Sequence, residues 1–379
     1  MRVALFCHSL LSDWNHGNAH FLRGVVTELA ARRHEVRVFE PRNAWSVENL
    51  VKDHGEKALD LARQAYPRIR PRRYELASLD VDELLDDVDL VLVHEWNDHE
   101  LVRRIGERRK KPGARFKALF HDTHHRAITD EAKMAEYDLS GYDGVLAFGA
   151  ALRDVYLQKG WTQRAWVWHE AADPRVFFPQ LPPPNGKQGD LVWIGNWGDE
   201  ERTAELREML LEPVRELGLN ALVHGVRYPE QALEELRSRK IAYGGWLPNF
   251  RVPEVFARFK LTVHVPRRPY AKALPGVPTI RVFEALSCGI PLVSAPWDDV
   301  EGLFTPGKDY LVAQDGGAMR AHMKTLVNDA AARSELARHG RRTILARHTC
   351  AHRVDELLGI AGELGVRVRR PSVLEGATA

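Results

Sequence analysis

Cysteine is scarce in this chain: three among 379 residues, at positions 7, 288 and 350. An odd, widely spaced trio supports neither a disulfide framework nor a zinc cluster, so Cys7, Cys288 and Cys350 read as structural. Long apolar runs are missing too. No stretch approaches the roughly 18 residues of a membrane span, and the opening Met1-Arg-Val-Ala-Leu-Phe-Cys7 is too short for a secretory signal, so a cytoplasmic protein is expected. Net charge is nearly absent: 54 Lys and Arg against 52 Asp and Glu leave +2, which gives no footprint for nucleic acid. One local exception is the run Arg68, Arg70, Arg72 and Arg73, either a solvated loop or a peripheral contact with phosphates or anionic lipid. Glycine forms no Gly-x-Gly-x-x-Gly fingerprint, and His94, Glu95, His121, His124 and His125 show no helical His-Glu-x-x-His spacing, so no metal site is expected.

What is present is ordinary for a soluble α/β protein of two domains: 44% hydrophobic and 28% charged residues, in a chain long enough for two cores. Buried strands are predicted at Arg2–Phe6, Glu35–Phe39, Leu90–His94, Phe116–His121, Gly144–Phe148 and Ala165–Trp168. Helical patterns separate them, the first with Phe21, Leu22, Val25, Val26 and Leu29 on one face. The region from Pro41 to Leu79 has no clear period. Five prolines between Ala172 and Gly186 then mark a boundary, after which the alternation restarts at Leu191–Gly195 and includes one long helix, Glu200–Leu217, interrupted at Pro213. The expectation is two Rossmann-like domains, 1–172 and 188–349, facing each other across a cleft, with a linker at 173–187, a terminal helix at 350–366 and a tail at 367–379.

The most informative stretch runs from Pro275 to Ser294. Pro275 and Pro278 hold its start extended, Thr279 is a candidate N-cap, and Ile280, Phe283 and Leu286 share a helical face, which leaves Glu284 in a mainly apolar setting. Gly289 and Pro291 end the helix before the strand Leu292–Ser294. A helix start facing a cleft attracts anions through its free N–H groups. The residues alone leave a second reading open, in which Glu284 pairs with Arg281 on a solvated face.

Glu284-Ala-Leu-Ser-Cys-Gly-Ile-Pro-Leu-Val293 resembles the donor-binding signature of glycosyltransferases with the GT-B fold, in which the Glu grips the nucleotide ribose. Those enzymes often carry a second acid eight residues earlier, where this chain has Gly276. Asp173-Pro-Arg-Val-Phe-Phe-Pro179 resembles their interdomain segment. Gly195-Asn-Trp-Gly198, Pro266-Arg-Arg-Pro269, Arg281 to Gly289 and His348-Thr-Cys-Ala-His-Arg353 are similar to the glycosyltransferases related to spore maturation protein CgeB. The resemblance is strongest from Asp190 to Leu358 and fixes neither sugar nor acceptor.

It implies a nucleotide-sugar hexosyltransferase, retaining and metal-independent, with no cofactor beyond its donor substrate and a terminal helix that crosses back onto the first domain. Such transfer needs a grip on the nucleoside, positive charge or N–H donors on the departing diphosphate, and contacts that orient the sugar. For the nucleoside the family pattern offers Glu284, and the end of the first strand of the second domain offers Gly195, Asn196 and Trp197. For the diphosphate the candidates are Arg267, Arg268, Lys272 and the loop amides around Gly276 to Thr279; the competing reading is that the adjacent arginines point opposite ways and only one enters the cleft. For the sugar they are His121 and, should the reaction invert, Asp122 as base. The loop Asn15-His16-Gly17 is placed by the resemblance near the donor phosphates or the acceptor, and Tyr66–Tyr74 on the acceptor side. Two other readings stand beside transfer: a nucleotide-sugar 2-epimerase on the same fold, and a degenerate nucleotide-binding scaffold suggested by Gly276.

Overall fold

Strands apolar on both faces are stable only where helices cover both sides of a sheet, and this chain builds two such sheets. The computed structural model describes residues 1–181, 184 and 186–368. Residues 369–379 of the tail expected at 367–379, and Pro182, Pro183 and Asn185 of the linker, lie outside the described residues. The first sheet contains β1 (Arg2–Phe6), β2 (Glu35–Pro41), β3 (Arg72–Tyr74), β4 (Leu90–His94), β5 (Lys117–Asp122), β6 (Gly144–Ala147) and β7 (Ala165–Val167), in the order β3-β2-β1-β4-β5-β6-β7. The second contains β8 (Gly189–Ile194), β9 (Ala221–His224), β10 (Ala242–Tyr243), β11 (Phe259–His264), β12 (Leu292–Ser294) and β13 (Leu311–Val312), in the order β10-β9-β8-β11-β12-β13. All pairings are parallel, for example Val3 opposite Val36 and Leu90, and Leu191 opposite Ala221 and Leu261.

Each sheet reverses its strand order beside its first strand: β1 lies between β2 and β4, and β8 between β9 and β11. Loops leaving the C-terminal ends of such strands diverge and open a crevice, which is where ligands bind in sheets of this kind. Residues from both crevices line one cleft of about 410 Å³ between the domains. The helix Cys350–Glu363 lies on the first domain, against helix Ala19–Ala31. Trp168 Nε1 donates to the Arg353 carbonyl at 2.8 Å, Trp166 Nε1 donates to Glu363 at 3.0 Å, and Arg32 pairs with Asp355.

Two stretches depart from expectation. The unperiodic region holds helices Trp45–His54 and Lys57–Ala65 and the edge strand β3. The second helix buries only Ala58, Leu59 and Ala62, too few apolar positions to show a period. Tyr66–Tyr74 leads to that sheet edge, so it does not line the cleft. The predicted helix Glu200–Leu217 is divided into a 3₁₀ turn, a helix at Thr203–Leu206, a π turn at Arg207–Leu211 and a helix at Glu212–Leu217. Pro213 has no N–H to donate to the preceding turn, and the wider π turn absorbs the missing bond.

Candidate active site

Loops after β1, β4 and β5 form the first-domain wall of the cleft. Asn15, His16, Gly17 and Asn18 follow β1, Trp96 follows β4, and Thr123 and His124 follow β5, with Trp45 beside them. Asn15 adopts a left-handed backbone, φ 49°, and its side-chain oxygen accepts from Asn196 of the second domain. A Cβ on Gly17 would come within 3.4 Å of Ile280. The wall is aromatic: the Trp45 and Trp96 centroids are 6.3 Å apart at 72°, Trp96 and His124 are 5.2 Å apart at 79°, and Tyr270 reaches across to within 6.0 Å of His124. Its acids are Asp13, paired with Arg23, and Glu170. Burial holds the His16 and His124 imidazoles well below their ordinary value, and His16 Nε2 and His124 Nδ1 have no partner. Behind it, the Arg126 guanidinium stacks on Trp96 at 3.9 Å and pairs with Glu95 at 2.6 Å.

The second-domain wall is cationic. Gly195 and Asn196 end β8, Arg267 follows β11, and Thr279, Ile280 and Arg281 open helix Ile280–Cys288. Thr279 sits at the N-cap but does not cap: its hydroxyl is 3.0 Å from His264 Nε2, so the first N–H groups of the helix keep no side-chain acceptor from that residue. Arg202, which sequence reasoning did not single out, donates to the carbonyls of Asn196, Trp197 and Val265. Burial and the neighbouring Arg267 lower its guanidinium to about 10. It braces the loops that carry Asn196 and Arg267.

Several expected site residues lie elsewhere. His121 is 1% exposed, packed against Phe21, His94 and Trp168; both ring nitrogens lack partners, and burial lowers it to about 3. As a strand residue of β5 paired between β4 and β6, it turns into the core below the wall rather than onto it. Asp122 is also sealed: it accepts from Tyr156 at 2.7 Å and from the His124 N–H at 2.9 Å, and burial holds its carboxyl above the ordinary range, so it does not reach the cleft as a base. Trp197 is buried beside Tyr228 in the second core. Arg268 faces outward to Glu205, and Lys272 is exposed on the same outer side. Of the adjacent arginines only Arg267 stands in the cleft, paired with Glu201 at 2.8 Å.

Glu284, expected from the resemblance to grip the ribose, does not line the cleft. It is fully buried behind Arg281, where it accepts from His20 Nδ1 and Asn249 Nδ2, each at 2.8 Å, and from Arg281. Burial would raise its carboxyl, but Arg281, His20 and Asn249 together hold it below the ordinary range. Because His20 belongs to the first domain and takes the Asp173 N–H on its other nitrogen at 3.1 Å, Glu284 ties the two domains together. Two acids do line the cleft: Asp13, held by Arg23 and Trp246, and Glu170, just after β7, the one without a side-chain partner on Oε1. No spacing or periodicity marks it; the only signal is an acid immediately before the proline-rich boundary. Gly276 adopts φ 84°, and a side chain there would meet the Glu301 carboxylate at 2.7 Å, which itself accepts from the Ala150 N–H at 2.8 Å and faces His169 at 3.1 Å. The space a side chain at 276 would take is thus filled by the Glu301 carboxylate, which is tied to the first domain. Among the described residues no helix is long and apolar enough to cross a membrane.

Two Rossmann-like domains with a polar cleft between their strand ends define the GT-B architecture. Solved structures share it along nearly the whole chain. Sucrose-phosphate synthase from Thermosynechococcus elongatus matches with TM-score 0.64 at 14% identity over 96% of this chain and 99% of that one. An alpha-glucosyltransferase in complex with UDP matches with 0.68 at 11% over 96% and 100%, and Anabaena HepE in complex with UDP and glucose with 0.67 at 12% over 96% and 100%. No curated protein matches the sequence. Residues 202–359 match the family described as glycosyl transferase-like. That match covers most of the second domain, and the solved structures, at 11–14% identity, show that the whole chain has the GT-B fold.

Proposed function

We propose that the enzyme transfers a sugar from a nucleoside diphosphate sugar to a neutral acceptor, with retention and without a metal ion. The observation that carries this reading is the opposition of the two walls: Arg267, Arg281 and the uncapped helix start on one side, aromatic rings and neutral imidazoles on the other. Sugar transfer moves an electron pair onto the departing diphosphate oxygen as the bond to the sugar carbon breaks. Cations and N–H dipoles fixed at that oxygen stabilise the charge and take the place of a metal. The acceptor oxygen forms the new bond from the first-domain side, and its proton passes to the departing phosphate oxygen. Acids on the walls are few: Asp13 is held by Arg23 and Trp246, and Glu170 lies at the second-domain helix start, so neither stands ready as the opposite-face base that inversion requires. Two of the structural neighbours are described as complexes with UDP, which makes uridine the first base to test.

The test is titration calorimetry with UDP, GDP, CDP and dTDP, followed by turnover of the matching sugar nucleotide in the presence of a chelator. Binding of one nucleotide, undiminished rate with chelator and a product anomer equal to that of the donor are expected. Loss of activity on chelation that manganese restores would remove the metal-free reading, and an inverted product the retaining one.

A further inference from the structure

A carboxyl group stands where the donor's anion is expected. Glu170 is 3% exposed and its Oε1 has no hydrogen-bond partner, and it lines the cleft together with Thr279, Ile280 and Arg281 of the helix start. Ile280 is the first residue of a nine-residue helix whose N-cap hydroxyl is engaged with His264. Helix starts hold one anion well, because few N–H groups point outward and the dipole's field falls off within a turn. Two anions cannot share it without strong repulsion.

Resting on the donor-binding reading above, we infer that Glu170 occupies the anion position at the start of helix Ile280–Cys288 in the free enzyme and remains beside the donor's diphosphate as a neutral carboxylic acid, so that nucleotide binding takes up one proton from solvent. The groups that face Glu170 fit this role. Glu284 lies behind it, Arg281 on the same helix and Tyr270 across the cleft, while Arg353 touches only its backbone carbonyl. Burial and Glu284 already push the carboxyl up to about 8, against the lowering influence of Arg281 and the Ile280 N–H. A diphosphate would claim both of those stabilising partners and add negative charge, so the carboxyl rises further in the complex. The sign follows: below about pH 7 Glu170 is already neutral and binding takes up no proton there, whereas above about pH 8 the free enzyme is ionised and must be protonated to bind. Once neutral, the acid can donate its proton to a diphosphate or sugar oxygen, which an ionised carboxylate cannot do.

The experiment is calorimetric titration of the full chain with UDP, or with GDP, CDP or dTDP should UDP not bind, from pH 7 to 9.5 in buffers of different ionisation heat. For the wild type, affinity should be flat near pH 7 and fall towards tenfold per pH unit above about 8, with close to one proton taken up at pH 9. Glu170→Gln, neutral and nearly isosteric, should bind at pH 7 within a few-fold of wild type and lose both the decline and the proton uptake. A flat wild-type profile, or a decline that survives in Glu170→Gln, overturns the inference while leaving nucleotide binding intact. Failure of every nucleotide to bind at pH 7 overturns the donor reading itself.

Discussion

The two walls of the cleft are built from the same structural parts, loops at the C-terminal ends of parallel strands, yet they use opposite chemistry. The first-domain wall carries little charge: its imidazoles are buried and held well below their ordinary value, Asp13 is paired with Arg23, Arg126 is neutralised by Glu95 behind Trp96, and Glu170 alone among its acids has a carboxyl oxygen without a partner. The second-domain wall brings Arg267 and Arg281 together with an uncapped helix start. The difference shows that fold places a site without choosing its chemistry. Desolvation lowers the histidines of both walls, while only the second presents arginines, Arg267 paired with Glu201 and Arg281 with Glu284.

Acid should expose the contrast most strongly. Burial holds His8 at about 4 and His121 at about 3, with His16, His94 and His124 also well below the ordinary value, all in the first domain, against His264 at about 3 and a lowered His224 in the second sheet. A depressed imidazole contributes stability that is complete above the unfolded value near 6.5 and is lost as pH falls towards the folded one. At pH 5 this is up to about 2 kcal/mol per histidine. Hydrogen exchange, converted to opening free energies, should show β4 and β5 weakening more than β8 and β12, which contain no histidine, between pH 7 and 5. Equal loss in both sheets would erase the distinction.

Next comes the tie between the domains. Glu284→Ala leaves Arg281, His20 and Asn249 without their common acceptor and should cost about 3–5 kcal/mol in chemical denaturation. Unchanged stability combined with lost nucleotide affinity would instead restore Glu284 as a ribose ligand.

Arg267→Ala removes a cation from the second wall and should lower kcat/KM for the donor by about 100-fold, with acceptor KM little changed. On the opposite wall, Trp96→Ala should raise acceptor KM by about tenfold and leave nucleotide affinity unaltered. If Trp96→Ala weakens nucleotide binding as much as Arg267→Ala does, the assignment of donor and acceptor to separate walls fails. The smallest effects belong to Arg268→Ala and Lys272→Ala, whose side chains face outward; donor kinetics should stay within about twofold. A tenfold loss at either would show that the cationic surface extends beyond Arg267 and Arg281.

Alternation of apolar strands and helices, the proline-rich break after Ala172 and the Gly289-Ile-Pro291 helix stop were sufficient by themselves to specify two parallel α/β domains, because each is a local consequence of period or backbone restriction. The loop Asn15-His16-Gly17 and the pair Gly195-Asn196 were legible for the same reason: they end first strands, and first strands flank the switch point. What sequence could not settle was which side of a strand or helix a given residue faces once a second domain packs against it. His121 and Glu284 are of a type suited to chemistry, but strand pairing turns one into the core, and His20, which lies 264 residues earlier in the chain, closes over the other. Glu170 is the converse case, unremarked by any pattern and carried to the helix start of the other domain only when the two sheets face each other. Local patterns fix elements because their causes are short-range; burial, and with it the charge of every acid and imidazole in the cleft, is decided by contacts that exist only in the assembled tertiary structure.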